Sequence, residues 1–271
     1  MKITAPLILC IFFGFTKLSA IENHFSGARP LALSNAFVSI SDTWSTFHNQ
    51  AGMAGLQTIS AGFFYESKFM IEELSLAAGS FALPVNTGTF GISFSQFGKA
   101  TYKENKVGLA FSKQISAQFY AGIQIDYFSH TFPENDGAKG FSTFEAGIIY
   151  NPKKSLFLGA HIFNPISAGI ETPAGKQKMP VTFRLGGHYN FSENLLIIFE
   201  SQKNDKAPFI VKTGIEFSPA QNLFLRFGVS GKPINYTSGI GYRIGKLVTD
   251  IAFSYHGILG ITPSVSVQIE L

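Results

Sequence analysis

The chain has 271 residues, a formal net charge of +4, only 14% charged residues, and 29 Phe, 9 Tyr and 27 Gly. It holds no apolar run of the roughly 20 residues that a helical membrane span requires, and its basic residues are scattered rather than gathered into the stripe that nucleic-acid binding needs. Its sole cysteine, Cys10, falls in an N-terminal leader, which excludes a disulfide framework and thiolate chemistry from the exported chain.

Residues 1–20 read as a signal peptide. Lys2 is the basic start, Ala5–Phe15 the apolar centre, and Leu18-Ser19-Ala20 the cleavage site. Residues 21–56 have another character. The stretch Gly27–Leu56 is rich in Ala, Ser and Asn, shows no sustained alternation, and carries the only tryptophan, Trp44. From 57 to 271 the chain becomes one series of alternating strands. An irregular segment ahead of such a series is expected to lie inside a closed barrel as a plug. Within it, Asp42 is placed to cap a short helix through Trp44 and Phe47, and Gly52 and Gly55 allow the turn into the first strand.

The expected fold is all-β: a transmembrane antiparallel barrel of about fourteen strands with an N-terminal lumenal plug. The strands fall near 57–66, 73–83, 87–97, 105–113, 117–128, 140–151, 155–163, 180–191, 194–202, 208–218, 221–230, 236–245, 247–256 and 262–271. In 221–230, for example, Leu223, Leu225, Phe227 and Val229 oppose Asn222, Arg226 and Gly228. A soluble sandwich shares that period of two; connection lengths separate the cases. Short turns such as Pro84–Asn86 and Ser192–Glu193 alternate with longer loops, notably Ser129–Lys139 and Asn164–Met179. Short turns at one end and long loops at the other characterise outer-membrane barrels. An even strand count then places both termini at the short-turn, periplasmic end, and closure removes exposed edges.

Taking the polar faces as inward, Gly62, Gly79, Gly91, Gly108, Gly122, Gly147, Gly159, Gly186, Gly214, Gly228 and Gly241 line the lumen. They read either as a hollow for the plug or as sites of barrel curvature. The same faces carry Asp126, Glu145, His161, Arg184, His188, Lys212, Glu216, Arg226 and Arg243, which give a lumen of mixed charge. His161, His188 and Glu145, on consecutive strands, read as a metal site or catalytic dyad in the sharp interpretation and as a hydrated lumenal network in the bland one. The polar interior of such barrels favours the network. No metal, cofactor or enzymatic activity is expected. Arg29 is expected either to pair with an inner acid or to stand solvated. Tyr65, Tyr102, Tyr120, Tyr127, Tyr150, Tyr189 and Tyr255 sit near strand ends, where interfacial girdles form.

Gly27-Ala28-Arg29, Leu31, Ala36-Phe37-Val38, Asp42 and Asn49-Gln50-Ala51-Gly52, with Trp44 among them, resemble the N-terminal segment of the PorV/PorQ-type proteins, a branch of FadL-like outer-membrane barrels. Gln50 stands where that family has proline. Pro180–Gly186 and Ala252–His256 are also similar. The resemblance implies fourteen strands, an N-terminal hatch and a location in the outer membrane of a Gram-negative-type bacterium. It implies two functions: a non-enzymatic accessory of surface protein export of the type IX kind, taken as the main expectation, or a FadL-like channel for hydrophobic small molecules. The partners expected are outer-membrane lipids and either a secretion-machinery protein or a hydrophobic ligand, with no nucleic acid.

Overall fold

The computed structural model describes residues 23–99, 102–131, 137–172, 175–231 and 233–271. The expected signal peptide lies outside these residues. The chain alternates because each wall residue faces either the lumen or the outside. The strands are β1 (Ser60–Ser67), β2 (Ser75–Val85), β3 (Gly88–Phe97), β4 (Lys103–Ser116), β5 (Phe119–Thr131), β6 (Ala138–Lys153) and β7 (Leu156–Phe163). A small hairpin follows, β8 (Gly169–Thr172) with β9 (Gly175–Lys178). The wall resumes with β10 (Thr182–Ser192), β11 (Leu195–Asn204), β12 (Ile210–Ala220), β13 (Leu223–Ser230), β14 (Asn235–Ile244), β15 (Leu247–His256) and β16 (Gly260–Glu270).

Apart from β8 and β9, the strands pair in sequence order and β16 closes on β1, a fourteen-stranded antiparallel transmembrane barrel. Following the registers once round the cylinder returns to β1 fourteen residues out of step. That shear tilts the strands by roughly 35–40°. At one rim the connections 86–87, 117–118, 154–155, 193–194, 221–222 and 245–246 are two-residue turns. The other rim carries 68–74, 98–102, 132–137, 164–181, 205–209, 231–234 and 257–259.

The outer wall is apolar: Phe63, Leu109, Ile125 and Phe227 are 59–64% exposed. Continuous apolar surface of this kind is stable only against lipid. Tyr65, Tyr127 and Tyr255 stand outward near the long-loop rim, and Tyr150 and Tyr189 near the other.

Three expectations are corrected. The two ends of Ser129–Lys139 are strand rather than loop, since Ser129 pairs with Gly140, His130 with Lys139 and Thr131 with Ala138. There β4, β5 and β6 rise above the lipid belt, so the outward positions turn polar (Asn105, Ser129, Ser142) before the backbone pairing ends. Gly79 faces outward; the inner face of β2 is Leu76, Ala78, Ser80 and Ala82. That strand is apolar on both sides because its inner face packs into the apolar core of the plug, which erases the cue used to orient it. Finally, Leu271 sits at the short-turn rim, its N–H bonded to Ile59 O, but Asn23–Phe25 lie at the long-loop end. An even strand count places only the barrel's own ends on one rim.

Candidate functional site: the plugged lumen

The segment ahead of β1 enters the lumen at the long-loop mouth, winds round the wall near the middle of the strands, and leaves at the short-turn rim. Its ordered pieces are brief: α1 (Ala28–Ala32), α2 (Ser45–His48) and a 3-10 turn over Gln50–Gly55. Helices this short do not persist alone; tertiary contacts hold them. Gly27, at φ +111°, lies against the Trp44 ring, where a Cβ would clash. Asp42 does not cap α2 through its own side chain. Its Oδ1 accepts from Trp44 N–H at 3.0 Å, and Ser45 begins the helix after that turn.

Wall and plug meet where the wall has no side chains. A Cβ would strike Trp44 at Gly62, Met53 at Gly91, Gln50 and Ala51 at Gly122, Asn49 at Gly147, Val38 at Gly159, Leu33 at Gly214 and Ser34 at Gly228. Gly239, not singled out in the sequence, does the same against Ala32. The hollow is therefore shaped to backbone and side chains of the chain's own leading segment. Asn49 reinforces this seam, donating to Val38 O at 2.6 Å and Ile148 O at 3.2 Å while accepting from Ala51 N–H. Ala28 N–H reaches Ser266 Oγ. Gly52 packs against Ile40 O and Ser45 within the plug.

Three buried ionic clusters line the lumen, and the first two tie the plug to the wall. In the first, Arg29 donates to both oxygens of Glu216 (2.8 and 2.7 Å) and to Asp42 (2.6 Å), and Arg226 joins Glu216 to Asp250. Burial opposes the Arg29 charge, but Glu216 and Asp42 outweigh it and hold the guanidinium above its ordinary pKa. In the second, Arg184 (2.7 and 2.8 Å) and Lys212 (3.2 Å) share Glu200. Glu200 also accepts from the plug amides of Phe37 and Val38, while Arg184 donates to His48 O and Asn35 O. His48 is enclosed there, and burial followed by Arg184 pushes its imidazole well below the usual value. In the third, Lys106 contacts Glu145 (2.9 Å) and Asp126 (3.3 Å), Gln124 bridges the two carboxylates, and His161 bonds Glu145 at 2.9 Å. Removing one member of such a buried pair costs about 3–5 kcal/mol, because the remaining charge is stranded.

Of the residues chosen from sequence, Arg29, Asp42, Glu216 and Arg226 come together, as do Arg184 with Lys212 and Glu145 with His161 and Asp126. His188 does not join His161; it bonds Ser39 Oγ at 2.9 Å and stacks on Phe157. Arg243 lies half-exposed at the short-turn rim, paired with Glu270. Glu200 and Lys106 were missed. Glu200 follows the unbroken apolar run Leu195–Phe199, which conceals strand parity; only its neighbours Ile198 and Gln202, two residues away on the same face, mark it as inward.

Above the plug lies a cavity of about 670 Å³ at the long-loop mouth. Phe25 and Leu31 of the plug and Phe69, Phe163 and Ile210 of the wall contribute its apolar lining, beside Glu66, Gln202 and Asn235. To one side the 164–181 connection folds inward, burying Ile170 and Met179 against Phe128 and Phe163. Asn164 pins it by donating to Met179 O.

The architecture defines a class: a transmembrane β-barrel of fourteen strands whose lumen is closed by its own N-terminal segment. No protein-family model matches the sequence, and no curated protein does. Among solved structures, the chain is similar to the Ralstonia pickettii toluene transporter TbuX (TM-score 0.68, 12% identity, over 90% of this chain and 98% of that one). It is similar to the Pseudomonas putida toluene transporter TodX (0.68, 13%, 90% and 98%) and to a Pseudomonas aeruginosa FadL homologue (0.62, 14%, 86% and 95%). The barrel is thus FadL-like in fold.

Proposed function

We propose that this chain is a channel of the outer membrane of a Gram-negative-type bacterium, non-enzymatic, that takes up small hydrophobic molecules. In this reading the long loops face outside, the ligand enters the mouth cavity, and it crosses when the plug yields. The observation that carries the reading is the likeness to toluene transporters over nearly the whole length of both chains, joined to a cavity that sits directly on a plug formed by the chain's own leading segment. Outer-membrane lipids surround the wall and a hydrophobic ligand is the expected partner; neither a cofactor nor nucleic acid has a role.

Uptake of labelled toluene by cells expressing the chain tests this. Expression is expected to raise the rate. A disulfide between Ser34→Cys and Thr237→Cys, whose native hydroxyls lie 3.0 Å apart, is expected to abolish the gain until reductant is added. Equal uptake with and without the chain would defeat the proposal. The competing reading, an accessory barrel for surface protein export of the PorV/PorQ kind, is favoured only by the plug motif. A stoichiometric secretion protein co-purifying from membranes, with no uptake, would select it.

A further inference from the structure

Among the described residues the buried charges of this lumen are paired, with one exception that faces the cavity. Glu66, inward on β1 and 5% exposed, has no hydrogen bond and no ion pair among the described residues, and it lines the mouth cavity. Its strand neighbours are Leu76 and Ser264. The nearest cation in sequence, Lys68, lines the same cavity and acts on Glu66 only through space; its Nζ is engaged elsewhere, 3.4 Å from His24 Nδ1 and 5.0 Å over the Phe97 ring. On the far wall Arg184 and Lys212 are spent on Glu200 and on plug carbonyls. A carboxylate in this position is stable only when something brings it a positive charge or strong donors.

A second feature occupies the same corner. Phe69 and Met70, just beyond β1, both adopt left-handed backbone, with φ of 55° and 59°. Bulky residues rarely do so, and such strain persists where the surroundings enforce it. Here Phe69 N–H donates to Thr262 Oγ1 at 3.0 Å, and the ring stands edge-on to His256 with centroids 6.4 Å apart. The strained turn thereby holds an aromatic ring in the lining of the cavity that the unpaired carboxylate also faces, a lining to which Asn235 and Ser254 add polar groups.

We propose that this corner recognises the ammonium group of a small organic cation with an apolar body. The ammonium would donate charge-assisted hydrogen bonds to Glu66 and lie against the Phe69 face, while the body rests on Phe25 and Leu31. This names a ligand class for the mouth; it rests on the transport reading for what later crosses the barrel, but not for binding itself.

Calorimetry on the purified full chain in detergent tests the assignment with three probes of one shape: benzylammonium, benzyl alcohol and benzoate. Benzylammonium is expected to bind most tightly. Glu66→Gln should weaken it by about ten- to a hundredfold and benzyl alcohol by no more than about threefold. Glu66→Asp, which keeps the charge, should retain the preference, and Phe69→Leu should reduce it severalfold with the barrel intact by heat-modified gel mobility. Benzylammonium binding no tighter than benzyl alcohol, or unchanged in Glu66→Gln, would overturn the proposal. Tighter benzoate binding would overturn it too, assigning the cavity to anions at Arg184 and Lys212. Toluene uptake without benzylammonium binding removes this site and leaves the transport reading; binding without uptake does the reverse.

Discussion

The middle of the lumen and its mouth are built from the same alternating strands yet are finished differently. At mid-height inward glycines meet plug atoms, and the charges close into clusters that include plug groups. At the mouth a cavity remains, one carboxylate is unpaired and a loop residue is strained. Packed, satisfied interiors supply stability; unsatisfied polar groups and strained backbone cluster where a ligand completes them. The plug is thus the folded core of this barrel, and the rim above it is where the proposed ligand would be recognised.

Filling the seam is expected to have the largest effect. Gly159→Leu forces a side chain into Val38 O, which lies 2.3 Å from the would-be Cβ, so the plug cannot seat. Proteolysis of residues 23–56 and single-channel conductance should both rise severalfold, whereas Gly79→Ala, outward with 3.8 Å of clearance, should change neither. Glu200→Gln comes next: it strands Arg184 and Lys212 and is expected to cost about 3–5 kcal/mol in urea unfolding of the folded barrel. Arg29→Met should follow, leaving Asp42 without its cation and Glu216 with Arg226 alone, at a cost of about 3 kcal/mol, and exposing the plug to protease. Unchanged protection would mean that the Arg29 bonds do not hold it.

A smaller effect is expected with pH. His48 is neutral in the seated plug, its value lowered by burial and Arg184. The unfolded or unseated segment takes up its proton near pH 6.5, so plug protection is complete above that pH and declines as pH falls below it toward the lowered value. His48→Gln should flatten the decline, read as protease protection between pH 7 and pH 5. The smallest effect belongs to the mouth. Gln202→Ala, on the cavity wall, should shift unfolding by less than about 0.5 kcal/mol and leave plug protection unchanged.

Much of the wall was legible beforehand. All fourteen barrel strands fall within a few residues of the expected spans, because each must alternate over a fixed thickness of lipid. Ten of the eleven proposed inward glycines face in; Gly79 fails because β2 meets an apolar plug on one side and lipid on the other, so neither face is polar. The plug was visible as a break in the alternation, and Arg29 as a cation facing inner acids. Glu200, Lys106 and the Glu66 corner were not, since nothing local distinguishes a paired inward charge from an unpaired one.

Composition and period alone set the kind of surface each residue needs: a two-residue repeat, a greasy belt, a polar inside and a leading segment unable to be strand. Which inward residues meet was decided only when the cylinder closed. Seating the plug brings Arg29 to Glu216, 187 residues away, and adds the amides of Phe37 and Val38 to the Glu200 cluster that three adjacent wall strands supply. Such contacts depend on how the leading segment seats inside the closed wall and on the registers of neighbouring strands, which no single strand encodes.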